Sequence, residues 1–141
     1  VGTFSALSKC AAIMQLNERE GKTTEKGVII NTASVAAFEG QTGDVAYSAS
    51  KAGVVGMTLP IARDLSRQSV RICTISPGVF DTSMMAASPD QVRESLIDMV
   101  QYPKRMGLPP EFALLTEQIV ENPYLNGVNI RLDGGIRLAH K

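Results

Sequence analysis

The sequence predicts an α/β fold in which a doubly wound parallel sheet carries helices on both faces. Three apolar runs rich in β-branched residues predict buried parallel strands, and these runs end near Ser34, Ser76 and Leu132. Segments with apolar residues at helical spacing separate the runs, and this alternation favours parallel pairing. Ligands of such sheets bind beyond the carboxyl ends of the strands, so the residues that follow each run are the first candidates for a site.

The chain opens with a helical pattern and a polar loop. Val1–Leu16 has apolar residues at helical intervals but no residue suited to cap its start, so we expect it to be the middle of a helix. Asn17–Lys26 is polar and of mixed charge, which is typical of an exposed loop. This loop leads into Gly27–Thr32, the first predicted strand.

Three reactive side chains follow that strand. Ser34 lies at its carboxyl end, and Tyr47 and Lys51 lie four residues apart on a helix predicted from about Asp44 to Leu65. The spacing stacks both side chains on one helix face, with Cβ atoms about 5–6 Å apart. An isolated pair of this kind usually marks only a solvated face. An ammonium beside a phenol also favours the phenolate, however, which makes Tyr47 a candidate general acid and base.

Together the three groups indicate chemistry at a carbonyl or alcohol oxygen. Ser34 can hydrogen-bond that oxygen, Tyr47 can exchange a proton with it, and Lys51 can tune Tyr47. Reduction or oxidation at the adjoining carbon requires hydride from a cofactor, because no protein side chain supplies one.

The helix that carries Tyr47 is apolar nearly all round over Ala52–Leu59, so we expect it to be buried on more than one side. One side must face the sheet and another could face a second copy of the chain. Gly53 and Gly56 would permit close approach there, although tight packing within one chain explains them as well. Pro60 predicts a kink.

The second half of the chain continues the alternation. Met84, Met85 and Met99 suit an adaptable apolar wall for a fatty chain, but methionine is equally ordinary core filler. The predicted elements are the strand Val70–Ser76 closed by the turn Pro77–Gly78, a helix over Ser88–Val100 with Ser88 as N-cap, a helix over Pro110–Glu121 and a last strand within Leu125–Gly135.

Composition excludes several classes of function. Lysine plus arginine equals aspartate plus glutamate at 14 each, so no net field favours nucleic acid or an anionic membrane. No apolar run is long enough to span a bilayer, and no cluster of residues suggests a metal site. Cys10 and Cys73, with no apparent secretion signal, favour a reducing compartment, the cytoplasm or, in a eukaryote, the mitochondrial matrix.

The order Ser34, then Tyr47-x-x-x-Lys51, then Pro77-Gly78 after the next strand resembles the signature of the short-chain dehydrogenase/reductases. The long first loop and Asn31-Thr-Ala-Ser-Val-Ala-Ala-Phe-Glu-Gly-Gln41 look like one branch, the type II 3-hydroxyacyl-CoA dehydrogenases. The resemblance implies that residues 1–141 are the C-terminal part of a single Rossmann-like domain. A glycine-rich phosphate turn with an acidic residue about 20 positions later is missing before Ser34, so the nucleotide-binding half would precede this chain.

The resemblance also implies roles for particular residues. Ser34, Tyr47 and Lys51 would be catalytic, with Lys51 also bonding the nicotinamide ribose, and Gln41 would join Ser34 and Tyr47 on the substrate side. The segment from Asp81 to Met106 would fold over the substrate as a lid. Besides Tyr47 and Lys51, the implied contacts to the cofactor are Pro77, Gly78, Val79, Phe80 and Thr82.

The resemblance leaves three functions open. The first is NAD-dependent interconversion of 3-hydroxyacyl-CoA and 3-oxoacyl-CoA in a homotetramer. The second is an NADPH-dependent 3-oxoacyl-(acyl carrier protein) or acetoacetyl-CoA reductase, which would keep the same triad. The third is a non-catalytic scaffold, which three intact reactive side chains disfavour. NAD and NADP are distinguished by an acidic or arginine side chain in the nucleotide-binding half.

Overall fold

The computed structural model describes residues 1–18 and 24–140. The elements alternate as predicted, with five helices and three strands among the described residues. The helices are α1 (Gly2–Met14), α2 (Val45–Leu65), α3 (Ser83–Ala86), α4 (Asp90–Met99) and α5 (Pro109–Glu121), and the strands are β1 (Gly27–Thr32), β2 (Val70–Pro77) and β3 (Asn129–Leu132).

The described strands form one parallel sheet in the order β1-β2-β3, which confirms the predicted parallel arrangement. Ile30 lies opposite Cys73, and Ile75 lies opposite Ile130. The central strand β2 is almost wholly buried, as expected for a strand covered on both faces. The carboxyl ends of all three strands therefore meet at the same edge of the sheet.

Helices cover both faces of this sheet. On one face α1 and α2 bury Leu7 and Ile61 against Ile72, whereas on the other face α5 buries Ile119 against Cys73. The alternation follows from the two-residue period of a strand. Burial raises the pKa of the Cys73 thiol, which is typical of a small buried hydrophobe rather than a reactive thiol.

Arg71 is a charged residue buried within the apolar strand β2. Its guanidinium donates to the backbone carbonyls of Ile119, Val120 and Leu125 and pairs with the Glu25 carboxylate at 2.6 Å. The last carbonyls of a helix have no partner within the helix, and Arg71 supplies one for the end of α5. This bond network fixes α5 and the approach to β3 against the centre of the sheet.

Several predicted boundaries shift. Ser88 is not the N-cap of α4, because the first helical hydrogen bond, from the Arg93 N–H, is accepted by the Pro89 carbonyl, and Pro89 therefore takes the cap position. The short helix α3 was not predicted. Helix α2 ends at Leu65, as predicted, and includes Pro60. The predicted first loop lies partly outside the described residues, since positions 19–23 are not among them.

Candidate active site

Ser34 lies just beyond β1 in extended backbone, with φ −168° and ψ 156°, and caps a 3₁₀ turn over Val35–Ala37. Its Oγ accepts a hydrogen bond of 3.1 Å from the Ala36 N–H. A hydroxyl that accepts one bond still has its own proton to donate. The turn therefore fixes the oxygen of a half-buried serine and leaves its O–H available to a carbonyl oxygen.

Tyr47 and Lys51 occupy the first two turns of α2, as the spacing predicts. The Lys51 Nζ lies 5.7 Å from the centre of the Tyr47 ring and donates to the Thr32 carbonyl at 3.1 Å. Thr32 is the last residue of β1, so this bond anchors the ammonium at the strand end next to Ser34. Tyr47 is 48% exposed, and the phenol is accessible to a ligand.

A close contact holds the loop after β1 against α2. A side chain at Gly40 would collide with the Ser48 Oγ. Ser48 directly follows Tyr47, so this contact brings the loop onto the first turn of the helix. The structure thereby places Ser34, Tyr47 and Lys51 around one strand end.

Gln41 belongs to the same loop and is half-buried. Its Nε2 donates to the Ala139 carbonyl at 3.1 Å, and the neighbouring Thr42 Oγ1 donates to the His140 carbonyl at 2.7 Å. The predicted substrate-side residue is thus held by the end of the chain, which the sequence did not indicate.

Residues after β2 occupy the neighbouring strand end, but their polar groups are largely used within the chain. The Gly78 N–H donates to the Leu132 carbonyl at 2.9 Å, and the Val79 carbonyl accepts from the Gly107 N–H at 3.0 Å. An added Cβ at Gly78 would lie 2.9 Å from the Asp133 Cα. The resemblance implies that Gly78 contacts the cofactor, whereas the close neighbour of Gly78 here is the chain itself.

Phe80 and Thr82 take different directions. The Phe80 ring packs edge-on against Phe112 with ring centres 6.1 Å apart, so it is turned toward α5. Thr82 is exposed and caps α3 through a bond of 3.4 Å from the Met85 N–H. The Phe80 ring therefore packs within the chain, against α5, although Phe80 was predicted to contact the cofactor.

A cavity of about 240 Å³ lies beside Phe80 rather than at the triad. The Arg105 guanidinium at its edge pairs with the Glu111 carboxylate at 2.7 Å. That hydrogen bond, a second one from the Leu108 N–H and the Arg105 charge lower the pKa of Glu111 to about 2. The cavity is lined by Val79, Phe80, Val100, Pro103, Arg105, Gly107, Glu111, Leu132, Asp133 and Gly134.

Glu39 and Arg131 form an ion pair that the sequence analysis missed. Arg131 donates to the Glu39 carboxylate at 2.9 Å, to the Asp133 carboxylate at 2.7 Å and to the Ile136 carbonyl at 3.0 Å. Burial alone would raise the pKa of Glu39, but the hydrogen bonds from Arg131 and the Leu138 N–H hold it below its usual range. The partners lie 92 residues apart, so no local pattern in the sequence links them.

Among residues 1–18 and 24–140, no group of histidine, cysteine and acidic side chains is arranged to hold a metal. None of the helices in that part of the chain is both long and apolar enough to cross a membrane.

Known proteins resemble the chain over nearly its whole length. A 3-hydroxyacyl-CoA dehydrogenase type-2 from Drosophila melanogaster is 56% identical over 138 residues, which cover 98% of this chain and 54% of that protein. The protein of the same name from Rattus norvegicus is 54% identical, with 98% and 52% covered. The crystal structure of 3-hydroxyacyl-CoA dehydrogenase type-2 from Mycobacterium avium superposes with a TM-score of 0.91 at 38% identity and covers 99% of this chain and 54% of that one.

The chain thus spans about half the length of the curated relatives it matches. The family model described as short chain dehydrogenase matches residues 1–93, which include Ser34, Tyr47 and Lys51. On this match, and on the identity to the relatives, the chain belongs to the short-chain dehydrogenase family.

Proposed function

We propose that this chain is the C-terminal part of an oxidoreductase that interconverts 3-hydroxyacyl-CoA and 3-oxoacyl-CoA with NAD as cofactor. The observation that carries the proposal is the position of the Lys51 ammonium between the Tyr47 ring and the Thr32 carbonyl, at the strand end that Ser34 follows. The dehydrogenase relatives support the substrate class, since they match the chain over 98% of its length.

In the proposed mechanism Tyr47 handles the proton. As phenolate it takes the proton of the substrate hydroxyl during oxidation, and as phenol it returns a proton to the carbonyl oxygen during reduction. The Lys51 ammonium stabilises the phenolate. The Ser34 hydroxyl donates to the substrate oxygen, and donors of this kind contribute about 2.7–4 kcal/mol in comparable oxyanion sites.

The residues present fit a nicotinamide cofactor, which would supply or accept the hydride. An ammonium has three donors, and Lys51 uses one of them on Thr32, so two remain for ribose hydroxyls. The Gly78 N–H and the Val79 carbonyl are bonded within the chain. The Val79 N–H and the Thr82 hydroxyl are therefore the groups of this segment that would contact the carboxamide of the nicotinamide. Pro77 and Phe80 would contribute by fixing the shape of this segment.

We propose that the nucleotide-binding half of the domain packs along β1. This strand is an outer strand of the described sheet, so one of its edges lacks a strand partner there. The Asn31 Nδ2 on β1 is buried and has no hydrogen-bond partner among the described residues, whereas buried polar groups are normally paired. The chain of 141 residues by itself should therefore lack turnover.

We also propose that the whole protein is a homotetramer in a reducing compartment, the cytoplasm or mitochondrial matrix. Exposed apolar side chains on α1 and α2, among them Phe4, Ile13 and Leu59, support a helix-mediated interface. Cys10 and Cys73 are both free thiols, which fits a reducing environment.

The test is an assay of the full-length protein for oxidation of 3-hydroxybutyryl-CoA with NAD, followed through NADH absorbance. We expect turnover, and a preference for NAD over NADP. Turnover of an acyl carrier protein thioester with NADPH alone would favour the reductase, and absence of all cofactor-dependent turnover would contradict the proposal.

A further inference from the structure

The chain turns back over the end of the sheet after β3. Gly134 and Gly135 have φ values of 57° and 76°, in the left-handed region that favours glycine, and they reverse the direction of the backbone. The residues from 133 to 140, which we call the C-terminal segment, then pass over the loop of residues 35 to 42, which we call the site loop. The site loop connects Ser34 to the helix of Tyr47.

Polar contacts fasten the C-terminal segment to the site loop. The Glu39 carboxylate accepts from Arg131 at 2.9 Å and from the Leu138 N–H at 3.0 Å. The bonds from Gln41 to Ala139 and from Thr42 to His140 extend the same contact. Three hydrogen bonds therefore join two segments that lie 98 or 99 residues apart in sequence, and Arg131 on β3 adds a fourth bond to Glu39.

Apolar contacts tie the C-terminal segment to two other parts of the site. Ile136 and Leu138 pack in a cluster with Val35 of the site loop and Val79 after β2. The end of α4 joins the same cluster through Met99, whose Sδ accepts from the Ala139 N–H at 3.3 Å. The C-terminal segment thus contacts the site loop, the proposed cofactor segment and the end of the proposed lid.

Arg131 is the centre of this arrangement. Its side chain and that of Glu39 are each 23% exposed, and that of Asp133 is 10% exposed, so water screens these charges less than it screens a surface pair. The planar guanidinium reaches both carboxylates and the Ile136 carbonyl at once, a geometry that a lysine ammonium does not reproduce. The Phe38 ring lies against its face at 5.4 Å.

We propose that Arg131 and Glu39 are positioning residues for the acyl substrate, because they hold the C-terminal segment on the site loop and thereby orient Gln41. This inference rests on the proposed function and on the substrate-side role that the family resemblance implies for Gln41. Neither Arg131 nor Glu39 touches the proposed reacting atoms. Their loss should therefore weaken substrate binding while proton transfer at Tyr47 continues.

The experiment compares Arg131→Met, Glu39→Gln and the double variant in the full-length protein, with acetoacetyl-CoA and NADH as substrates. We expect each single variant to raise the KM for acetoacetyl-CoA about tenfold, while kcat and the Kd for NADH change less than threefold. The double variant should raise the KM for acetoacetyl-CoA no further than the single variant with the larger KM, because both changes break the same network. Arg131→Lys should raise the KM less than Arg131→Met does, since lysine keeps the charge but lacks the planar guanidinium.

Hydrogen exchange gives a readout independent of turnover. In both single variants the amides of residues 38 to 42 should exchange faster, whereas those of β2 should keep their wild-type rates. Glu117→Gln is the matched control, because it removes the same charge as Glu39→Gln from an exposed position on α5. It should change neither KM nor exchange in the site loop.

Two results would overturn the positioning role. One is an unchanged KM in Arg131→Met and Glu39→Gln while the wild-type protein turns over normally. The other is a joint loss of substrate affinity, cofactor affinity and β2 protection, which would mean a general structural role. Absence of wild-type turnover with any acyl-CoA would instead remove the proposed function and this inference with it, so the two failures are distinguishable.

Discussion

Two neighbouring strand ends in this chain differ in how much hydrogen-bonding capacity they leave free. Beyond β1, the Ser34 hydroxyl and the Lys51 ammonium each make one bond to backbone and keep further donors. Beyond β2, the Gly78 N–H and the Val79 carbonyl are bonded within the chain, and Phe80 packs on Phe112. The position of a residue after a strand thus identifies candidate site residues. Hydrogen-bond donors without a partner in the chain then indicate which of them can take part in chemistry.

The difference between the two strand ends is tested most strongly at Tyr47. Tyr47→Phe in the full-length protein should lower kcat by about 10²–10⁴-fold, because it removes the proton-transfer group and keeps the ring. Binding of the cofactor, measured by calorimetry, should be nearly unchanged. A variant that kept more than about a tenth of the wild-type kcat would contradict the acid and base role.

The second test asks whether α2 serves an interface as well as the site. On α2, Met57 packs against the core and Val55 is half-buried, whereas Leu59 is 47% exposed and is the better position for a disruptive charge. Leu59→Asp should dissociate the assembly, because an unpaired buried charge costs about 3–5 kcal/mol. Sedimentation measures this. A wild-type protein that is a fully active monomer at micromolar concentration would contradict the interface.

The strand end after β2 is tested by packing. Gly78→Ala should lower the free energy of unfolding by about 1–3 kcal/mol, because the added methyl group would meet the Asp133 backbone. Urea denaturation measures the change. An unchanged urea midpoint in Gly78→Ala would refute the packing argument.

The smallest effect is expected at the Arg105–Glu111 pair beside the cavity. The folded pKa of Glu111, about 2, lies below its usual value of 4.5, so its contribution to stability is present above about pH 4.5 and is lost as the pH falls toward 2. Glu111→Gln should slightly lower the urea midpoint at pH 7 and converge with the wild type in acid. Glu117→Gln on the same helix should leave the midpoint unchanged at both pH values. A difference that persisted at pH 2 would rule out the ion pair as its source.

Local pattern predicted the three strands and every described α-helix except α3, and it placed Tyr47 and Lys51 one turn apart on α2. The strands follow from runs of β-branched residues, and the Tyr47–Lys51 pair follows from the four-residue period of a helix, because both depend only on near neighbours. The predicted cap at Ser88 was wrong. A serine before a proline predicts a cap, but Pro89 is still extended, with ψ 144°, and its carbonyl accepts the first helical bond, so α4 begins one residue later.

The sequence by itself determined that this chain folds as part of a parallel α/β sheet and that three side chains of complementary chemistry share one strand end. Only the tertiary structure decided that Gly78 packs against Asp133, that Phe80 turns toward α5, and that Arg131 reaches Glu39 across 92 residues. Those contacts join distant parts of the chain, so they depend on how the layers pack and leave no period or spacing in the sequence.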